Sequence, residues 1–445
     1  MKKIKTLPES DFLKLFYVCF TAAFFVGAVC MPDRGQMISG FGRILVSPCK
    51  VATNYFAVGG YAATFLNMGV VTMLCTALIC GLGATANNVS TLALILTTGF
   101  CTWGITPLNI LPTMAGVVLY CAVKKLPLRA NVNAMIFSTG IAPLITDLMV
   151  RYPNAEAVGF RVGSVALAIA VGLCIGFFLP AGLAHSPKVH KGFDLYSAAF
   201  PIGMTAFFLQ ATLFRSLGVA VPAAPDAAGL QVASGAIVNG FCLTVFLLAV
   251  AAAFALGCRP KDYWKLLTDP ELVTSFSAAY GNPVFLMNFG VFGLFILGYY
   301  NLIGGSMNGV TLGIIFCMLA TCNSGSHPNN VWPIMLGYVL ISQICALLSG
   351  MLGTTFTGVI NAQAIMIGLC YANGLSPIAD KYGWQYGVVA GMMHYLLVTS
   401  VPTLHGGYCL YNGGFTAALI CIVLIPTLEQ ITRTKAQRRG AKQVQ

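Results

Sequence analysis

Charged residues are scarce in this sequence. They make up 8% of the 445 residues, against about 25% in a soluble globular domain, and the mean hydropathy is +0.83. No stretch is polar enough to fold as a separate soluble domain, and the phosphate-binding pattern G-x-x-x-x-G-K-S/T is missing. These absences exclude a soluble enzyme, a nucleic-acid-binding protein and a pump driven by ATP hydrolysis. A polytopic protein surrounded by the lipid bilayer remains.

Acidic residues are also few, and no cysteines are paired in a C-x-x-C pattern. The 12 Asp and Glu face 24 Lys and Arg, and most of the 16 cysteines fall inside apolar runs. No spacing of His, Cys, Asp or Glu is typical of a metal or catalytic site. We therefore expect no metal, no cofactor, no disulfide framework and no enzymatic activity.

Apolar segments of about 20 residues, the length that spans a bilayer, occur along the whole chain. The first, at 12–31, lacks a cleavage site and is expected to be a retained helix. Each half offers seven candidate segments, and several are short or interrupted by Gly and Pro. Backbone that is not helical is stable at membrane depth only when it is buried in protein or faces a water-filled cavity. We predict an all-α polytopic membrane protein with broken or re-entrant helices and about 10–14 transmembrane crossings.

The two halves of the chain resemble each other. A shift of 221 residues aligns 67–119 with 288–340 without a gap, and 15 of the 53 aligned positions are identical. The identical residues are mainly Asn, Gly and Pro. A second block matches at a shift of 215, where 190–196 resembles 405–411. The sequence therefore predicts two tandem copies of one unit.

The predicted domain limits follow from this duplication. They are a cytoplasmic amino terminus at 1–11, a first membrane repeat at 12–219, an inter-repeat loop at 220–231, a second membrane repeat at 232–428, and a basic cytoplasmic tail at 429–445.

The basic residues predict the orientation of the copies. The loop 124–129 is basic, whereas its counterpart 349–353 carries no charge. Conversely, 259–265 is basic and expected inside, while its counterpart after Met31 is expected outside. Equivalent loops on opposite sides indicate inverted-topology repeats with an odd number of crossings each. Both termini are then cytoplasmic, and only six basic residues are left outside.

Three pairs of asparagines recur at the same repeat positions and are the candidate substrate-binding residues. Each amide offers two donors and an acceptor, and each must face a partner helix or a wet cavity at membrane depth. They either fasten neighbouring helices or line a symmetric path for a small polar solute. The first pair follows Gly-rich breaks and is our first choice, and the second lies between prolines. The pairs are Asn87 and Asn308, Asn109 and Asn330, and Asn67 and Asn288.

Two aspartates, Asp147 and Asp380, lie in or beside apolar segments at roughly equivalent positions, just after Pro143 and Pro377. An ionisable residue within a membrane span is a functional candidate by default. Either aspartate is a candidate site for proton or sodium coupling; the alternative is a carboxylate at a helix end or interface.

The two-copy plan carries an N-x-G element (67–69 and 288–290) and a P-x-N-x-x-P element in each half. In these features the chain resembles an uncharacterised bacterial family of multi-pass membrane proteins built around a domain of unknown function. The resemblance implies a place in the bacterial cytoplasmic (inner) membrane but no activity. In plan alone, the chain is similar to the urea transporter superfold, in which a solute passes between the repeats of each protomer in a trimer. A homo-oligomer is left open.

Three functional hypotheses remain. The leading one is a transporter or channel-like facilitator for a small polar solute at the interface of two inverted repeats, because buried carboxylates are few. The second is a proton- or sodium-coupled secondary transporter that uses Asp147 or Asp380. The third, from another class, is a membrane scaffold or an intramembrane enzyme.

Overall fold

The computed structural model describes residues 7–154, 158–223, 232–269 and 271–443, with side chains as far as Arg433. All regular secondary structure in these residues is helical. Most of the predicted inter-repeat loop 220–231 lies outside the described residues. So do positions 1–6 of the predicted amino-terminal segment, and the side chains beyond Arg433 in the predicted tail 429–445.

The described part of the first copy forms ten helices. They are α1 (Glu9–Cys30), α2 (Met37–Val46), α3 (Tyr55–Val58), α4 (Tyr61–Gly81), α5 (Asn88–Phe100), α6 (Leu111–Lys124), α7 (Val132–Phe137), α8 (Ala142–Val150), α9 (Val162–His190) and α10 (Ala199–Gln210).

The described part of the second copy forms eleven. They are α11 (Gly235–Ala255), α12 (Pro260–Thr268), α13 (Phe276–Tyr280), α14 (Asn282–Leu302), α15 (Gly309–Leu319), α16 (Pro328–Leu352), α17 (Gln363–Ala372), α18 (Ser376–Tyr382), α19 (Trp384–Val398), α20 (Val401–Leu404) and α21 (Asn412–Gln443).

The helices repeat in the same order as the sequence does. Helix α4 and helix α14 each span 21 residues and begin and end 221 positions apart, and α5 and α15 begin 221 positions apart. Helices α1 to α9 correspond in order to α11 to α19, and α10 corresponds to α21. The predicted duplication is therefore a duplication of structure.

The first and last described helices share one end of the bundle, which we call the A end. The Ser277 hydroxyl donates to Glu9 Oε1 at 2.6 Å beside the start of α1. Near the last described side chains of α21, the Lys191 ammonium lies 2.9 Å from Glu429 Oε2. Contacts between the two copies therefore hold both described chain ends together.

The opposite end, the B end, also joins the copies. There the Tyr61 hydroxyl donates to the Ala233 carbonyl oxygen at 2.9 Å. The Val51 N–H donates to the Gly407 carbonyl oxygen, also at 2.9 Å. Helix α4 therefore begins at the B end. Its counterpart α14 begins at the A end, where Asn282 donates to the Leu7 carbonyl oxygen at 3.2 Å.

Helices α5 and α6 form a hairpin that turns inside the bundle. Helix α5 begins at the A end, where Asn88 donates to the Thr274 carbonyl oxygen at 2.6 Å. Its tip at 101–110 lies beside Asn67, two turns into α4. The predicted spans 89–108 and 110–126 are therefore two arms of one hairpin.

Helix α6 runs parallel to α9, which ends directly before Lys191 at the A end. Helix α6 therefore returns to the A end. Pro112 lies against Gly172, and further along Tyr120 packs against Phe177 with ring centroids 5.7 Å apart. Helices α15 and α16 form the matching hairpin, which starts at the B end where Gly309 adjoins Asn54.

Each copy also contains one broken helix. Helices α7 and α8 are joined by a 3-10 turn, Ser138–Ile141, and α17 and α18 by another, Asn373–Leu375. Pro143 and Pro377 lie in the first turns of α8 and α18. A proline interrupts a continuous helix because it has no N–H to donate and its ring clashes with the preceding turn.

In the part of the chain that the structure describes, eight helical segments are long and apolar enough to cross a membrane. They are Glu9–Cys30, Tyr61–Gly81, Val132–Val150, Val162–His190, Gly235–Ala255, Asn282–Leu302, Pro328–Leu352 and Asn412–Arg433. Large apolar side chains such as Phe178, Leu248 and Leu347 are exposed on their outer faces by about two thirds of their area. Such a surface is stable only in lipid, so the chain is a multi-pass membrane protein.

We predict that Gly176→Ala lowers stability by about 1–3 kcal/mol, because a Cβ there would lie well under 3.0 Å from the Thr113 carbonyl oxygen of α6. Gly163→Ala on the same helix is the matched control, since a Cβ there meets no atom within 4 Å. Thermal unfolding of the purified variants in detergent measures the difference. Equal melting temperatures would contradict the close packing of α6 on α9.

Candidate functional site

Among the cavities of the described residues, two occupy corresponding places in the two copies, one near each end of the bundle. Vestibule A, of about 480 Å³, is lined by α5, α7, α9 and the loop 191–198. Vestibule B, of about 530 Å³, is lined by α17, α19, α20 and the loops 50–52 and 406–412. The two cavities are of similar size and occupy corresponding places in the fold.

Repeat-equivalent residues line the two vestibules. Equivalent residues of α7 and α17 are 234 positions apart, the same shift that relates Pro143 of α8 to Pro377 of α18. Equivalent residues of the later segments are 215 positions apart. Six pairs in the vestibule walls obey these shifts: Ala130 and Ala364, Asn133 and Ile367, Ala134 and Gly368, Leu183 and Val398, Pro187 and Pro402, and Ser197 and Asn412. The vestibules are therefore two versions of one site.

A cluster of buried aromatic rings lies at the centre of the molecule, where the two copies meet. Tyr196 and Tyr411 correspond at the 215 shift, and Phe137 and Tyr371 at the 234 shift. The Tyr196 and Tyr371 ring centroids are 4.7 Å apart, those of Tyr371 and Tyr411 are 6.2 Å apart, and Phe100 is 5.6 Å from Tyr411. Phe137 also lines vestibule A, and Tyr411 directly precedes Asn412 of vestibule B. We call these five residues the aromatic layer.

The loop before the last helix of each copy clamps the broken helix of the other. The Leu195 N–H donates to the Gly374 carbonyl oxygen at 3.0 Å, and the equivalent Leu410 N–H donates to the Gly140 carbonyl oxygen at 2.9 Å. The Tyr196 hydroxyl adds a contact of 3.0 Å to Asn373 Oδ1. Backbone groups freed by each break are thereby satisfied across the interface, as an apolar environment requires.

The predicted asparagines Asn67 and Asn288 fasten the hairpin tips. The Asn67 amide donates to the carbonyl oxygens of Cys101 and Ile105, both at 2.7 Å. Asn288 makes the same pair of bonds to the second tip, at 2.7 and 3.0 Å. Both amides are fully buried, so every donor of these two side chains is used by the protein.

Asn109 and Asn330 join the hairpin tips to the broken helices by hydrogen bonds. The Asn109 amide lies 2.9 Å from the Gly104 carbonyl oxygen and from Thr146 Oγ1. The Asn330 amide donates to the Gly325 carbonyl oxygen at 2.8 Å and to Asp380 Oδ2 at 2.7 Å. Equivalent amides therefore attach each tip to α8 and α18.

Asn87 and Asn308 cap the first helices of the two hairpins, α5 and α15. The Asn87 side-chain oxygen accepts from the Ser90 N–H at 3.0 Å, and the Asn308 oxygen from the Thr311 N–H at 2.9 Å. Among the described residues that line the two vestibules, none of the six predicted asparagines occurs. Their role in solute binding stays a prediction.

Asp147 and Asp380 are not equivalent. At the 234 shift, Asp380 corresponds to Thr146, and Asp147 corresponds to Lys381, so the two aspartates are one residue away from equivalent positions. Buried Asp147 pairs with Arg151 and accepts from the Tyr408 hydroxyl at 2.6 Å. Asp380 lines a smaller cavity of about 230 Å³ at the A end.

Lys50 is a charged group of vestibule B. Its ammonium donates to the Pro222 carbonyl oxygen and lies 4.8 Å from the centroid of the Tyr408 ring. Burial lowers the pKa of the Lys50 ammonium to about 8, and the Asp147 carboxylate opposes that shift. Vestibule B therefore holds a positive charge that is readily lost above neutral pH.

Comparison with known proteins supplies the family. The model of the family described as protein of unknown function (DUF1576) matches residues 33–215 and 260–430, which is most of both copies. The chain belongs to the DUF1576 family. This confirms the resemblance to an uncharacterised family. No curated protein and no solved structure matches the chain.

The residues that line the vestibules of this DUF1576 protein were not among the six asparagines predicted to bind substrate. Asn133, Ser197 and Asn412 lie in segments whose shift between the copies is not 221. The residue that corresponds to Asn133 in vestibule B is the apolar Ile367. The match of 190–196 to 405–411 was the available signal. It ends on the tyrosines of the aromatic layer.

We predict that Asn67→Ala and Asn288→Ala each lower stability, because each leaves two buried carbonyl groups unsatisfied at about 1–3 kcal/mol apiece. Asn239→Ala is the control, since half-buried Asn239 exchanges hydrogen bonds only with the Asn301 side chain in the described contacts. Thermal unfolding in detergent should rank the two buried variants below the control. A loss no larger than that of the control would mean that the tips hold without their amides.

Proposed function

We propose that this DUF1576 protein is a transporter or channel-like facilitator that moves a small polar solute between vestibule A and vestibule B. The observation that carries the proposal is the pair of vestibules lined by repeat-equivalent residues at opposite ends of the bundle. Transporter sites commonly form at the interface of two repeats, beside broken helices. Here both vestibules adjoin the broken helices, and the aromatic layer lies between them.

The chemistry of the walls favours a small polar solute. Amide and hydroxyl groups are contributed by Asn131 and Ser197 in vestibule A, and by Gln363 and Asn412 in vestibule B, among apolar side chains. Each wall also has one ionisable side chain, Asp194 in vestibule A and Lys50 in vestibule B. Such walls suit a hydrogen-bonding solute that is uncharged or weakly charged.

Two hydroxyls at the aromatic layer support the same solute class. The Tyr411 hydroxyl is buried beside the hydroxyls of Thr97 and Thr139. A polar solute that crosses the layer can exchange hydrogen bonds with these hydroxyls. The layer is closed, so passage requires the clamped breaks at Gly140 and Gly374 to move.

The proposed membrane arrangement has inverted repeats. In each copy five helical paths run from end to end and one hairpin re-enters, which gives ten crossings in total. Basic residues of the predicted inner loops, including Lys124, Lys191, Lys261 and Lys381, lie at the A end. By the positive-inside rule the A end is cytoplasmic, and we place the protein in a bacterial cytoplasmic membrane.

Site-directed labelling tests the topology. Single cysteines introduced at Lys125 and Gly353 are expected to react with a membrane-impermeant maleimide from opposite sides of right-side-out vesicles. The positions end α6 and α16, whose hairpins start at opposite ends of the bundle. Mass spectrometry of the labelled peptides separates these sites from native cysteines. Labelling of both from one side would overturn the inverted arrangement.

Flux through proteoliposomes tests the path. A panel of neutral amides, ureas and polyols is screened by stopped-flow light scattering, and the solute that enters fastest relative to empty liposomes is used. Asn131→Trp in vestibule A and Thr399→Trp in vestibule B should each lower its flux severalfold by narrowing the path.

Thr244→Trp is the matched control for that experiment. Thr244 is also an exposed threonine, but it lies on the outer face of α11 and lines neither vestibule. Unfolding temperatures of all three variants must match that of the wild type. Equal flux in the vestibule variants and the control would refute the proposed path, as would the absence of flux for every solute of the panel.

A further inference from the structure

Asp194 is a buried carboxyl group with one unused oxygen. Its side chain is 2% exposed. Oδ1 accepts from the Tyr196 N–H at 2.9 Å, whereas Oδ2 is buried without a hydrogen-bond partner in the described structure. Buried acids are normally paired or fully hydrogen-bonded. Asp194 therefore needs an explanation that its packing does not give.

No cation offsets this carboxyl group. The titratable groups that face it are His190 of α9, which accepts from the Asp194 N–H at 3.3 Å, Tyr196 in its own loop, and Cys421 of α21. The neighbouring Lys191 is paired with Glu429 instead. Among the described residues no Lys or Arg forms an ion pair with Asp194.

The location of Asp194 connects it to the moving parts of the proposed path. The residue lines vestibule A. It directly precedes Leu195 and Tyr196, which clamp the broken helix of the other copy at Gly374 and Asn373. At the equivalent position the second copy has Cys409, so the carboxyl group is not part of the shared repeat framework.

We propose that Asp194 is a proton-binding site, and that its proton holds the loop 191–198 against the broken helix α17–α18 and keeps the inner end of vestibule A, at the aromatic layer, closed. A carboxylate without a counter-charge is strongly disfavoured in an apolar interior. Loss of the proton creates that charge, and the loop must then move to bring water to it. Such a move breaks the bond between Leu195 and Gly374 and loosens the clamp of Tyr196. This inference rests on the proposed function only in treating the opening of vestibule A as the opening of a path for solute.

The expected pH range follows from burial. Desolvation raises the pKa of Asp194 to about 8, and the hydrogen bond from the Tyr196 N–H opposes the shift. Because the pKa is raised in the folded state, the stabilising effect of the bound proton is complete below the ordinary carboxyl pKa. That effect is lost as the pH rises through about 8. The inner end of vestibule A is therefore closed in acid and opens in mild alkali.

Infrared spectroscopy tests the proton itself. Protein carrying ¹³C-labelled aspartate should show a protonated-carboxyl band that disappears with a midpoint near pH 8. The band should be missing from Asp194→Asn and retained in Asp262→Asn, an exposed aspartate paired with Arg259. A wild-type spectrum without a titrating band, or one that Asp194→Asn leaves unchanged, would overturn the site.

Labelling rates test the link to the vestibule. Phe137→Cys, at the buried inner end of vestibule A, and Lys261→Cys, at the same end of the bundle but outside vestibule A, are labelled with one maleimide at about pH 6 and about pH 9. The ratio of the two rates cancels the intrinsic pH dependence of thiols. It should rise severalfold with pH, and the rise should vanish when Asp194→Asn is added. A constant ratio in protein with native Asp194 would overturn the link between the proton and opening.

Neither readout requires a transported solute. A protein without flux can still show the titration and the opening, and a protein with flux can lack both. Failure of the proton site and failure of the proposed transport are therefore distinguishable.

Discussion

The need to satisfy backbone groups at membrane depth governs this architecture. Each hairpin ends in a tip whose carbonyl groups have no helical partner, and in lipid such groups have no water to bond. One buried amide per copy, Asn67 or Asn288, bonds two carbonyls of the tip to the neighbouring helix. A second, Asn109 or Asn330, ties the tip to the broken helix. The hairpins can enter the bundle only because these amides are in place.

The same constraint interlocks the two copies. The break in each broken helix leaves backbone groups free, and a loop of the other copy bonds them, through Leu195 at Gly374 and Leu410 at Gly140. Neither copy can complete its own interior alone. The breaks also sit beside both vestibules and the aromatic layer. The elements that must move for a solute to pass are therefore the elements that hold the copies together, which makes this interface the natural place for control by a buried proton at Asp194.

Part of this arrangement could be predicted from sequence. The asparagine pairs stood out because 67–119 and 288–340 align without a gap. The structure places four of the six around the tips and the other two, Asn87 and Asn308, at the starts of α5 and α15. Sequence could not say that these side chains bond backbone groups instead of lining the vestibules, because an amide at membrane depth satisfies either demand equally. The vestibule walls escaped notice because their copies lie 234 or 215 positions apart and pair unlike residues, such as Asn133 with Ile367.

By itself the sequence determined an all-helical membrane protein of two copies, since hydropathy and internal identity depend only on the order of residues. It also identified the polar side chains that such a protein must accommodate. The tertiary structure alone decided that 89–126 is one hairpin, that Asp147 is paired, and that Asp194 is buried without a partner. Those outcomes depend on which distant segments meet across the interface. The order of residues does not specify these contacts, because those at the B end, for example, join residues 172 to 356 positions apart through packing in three dimensions.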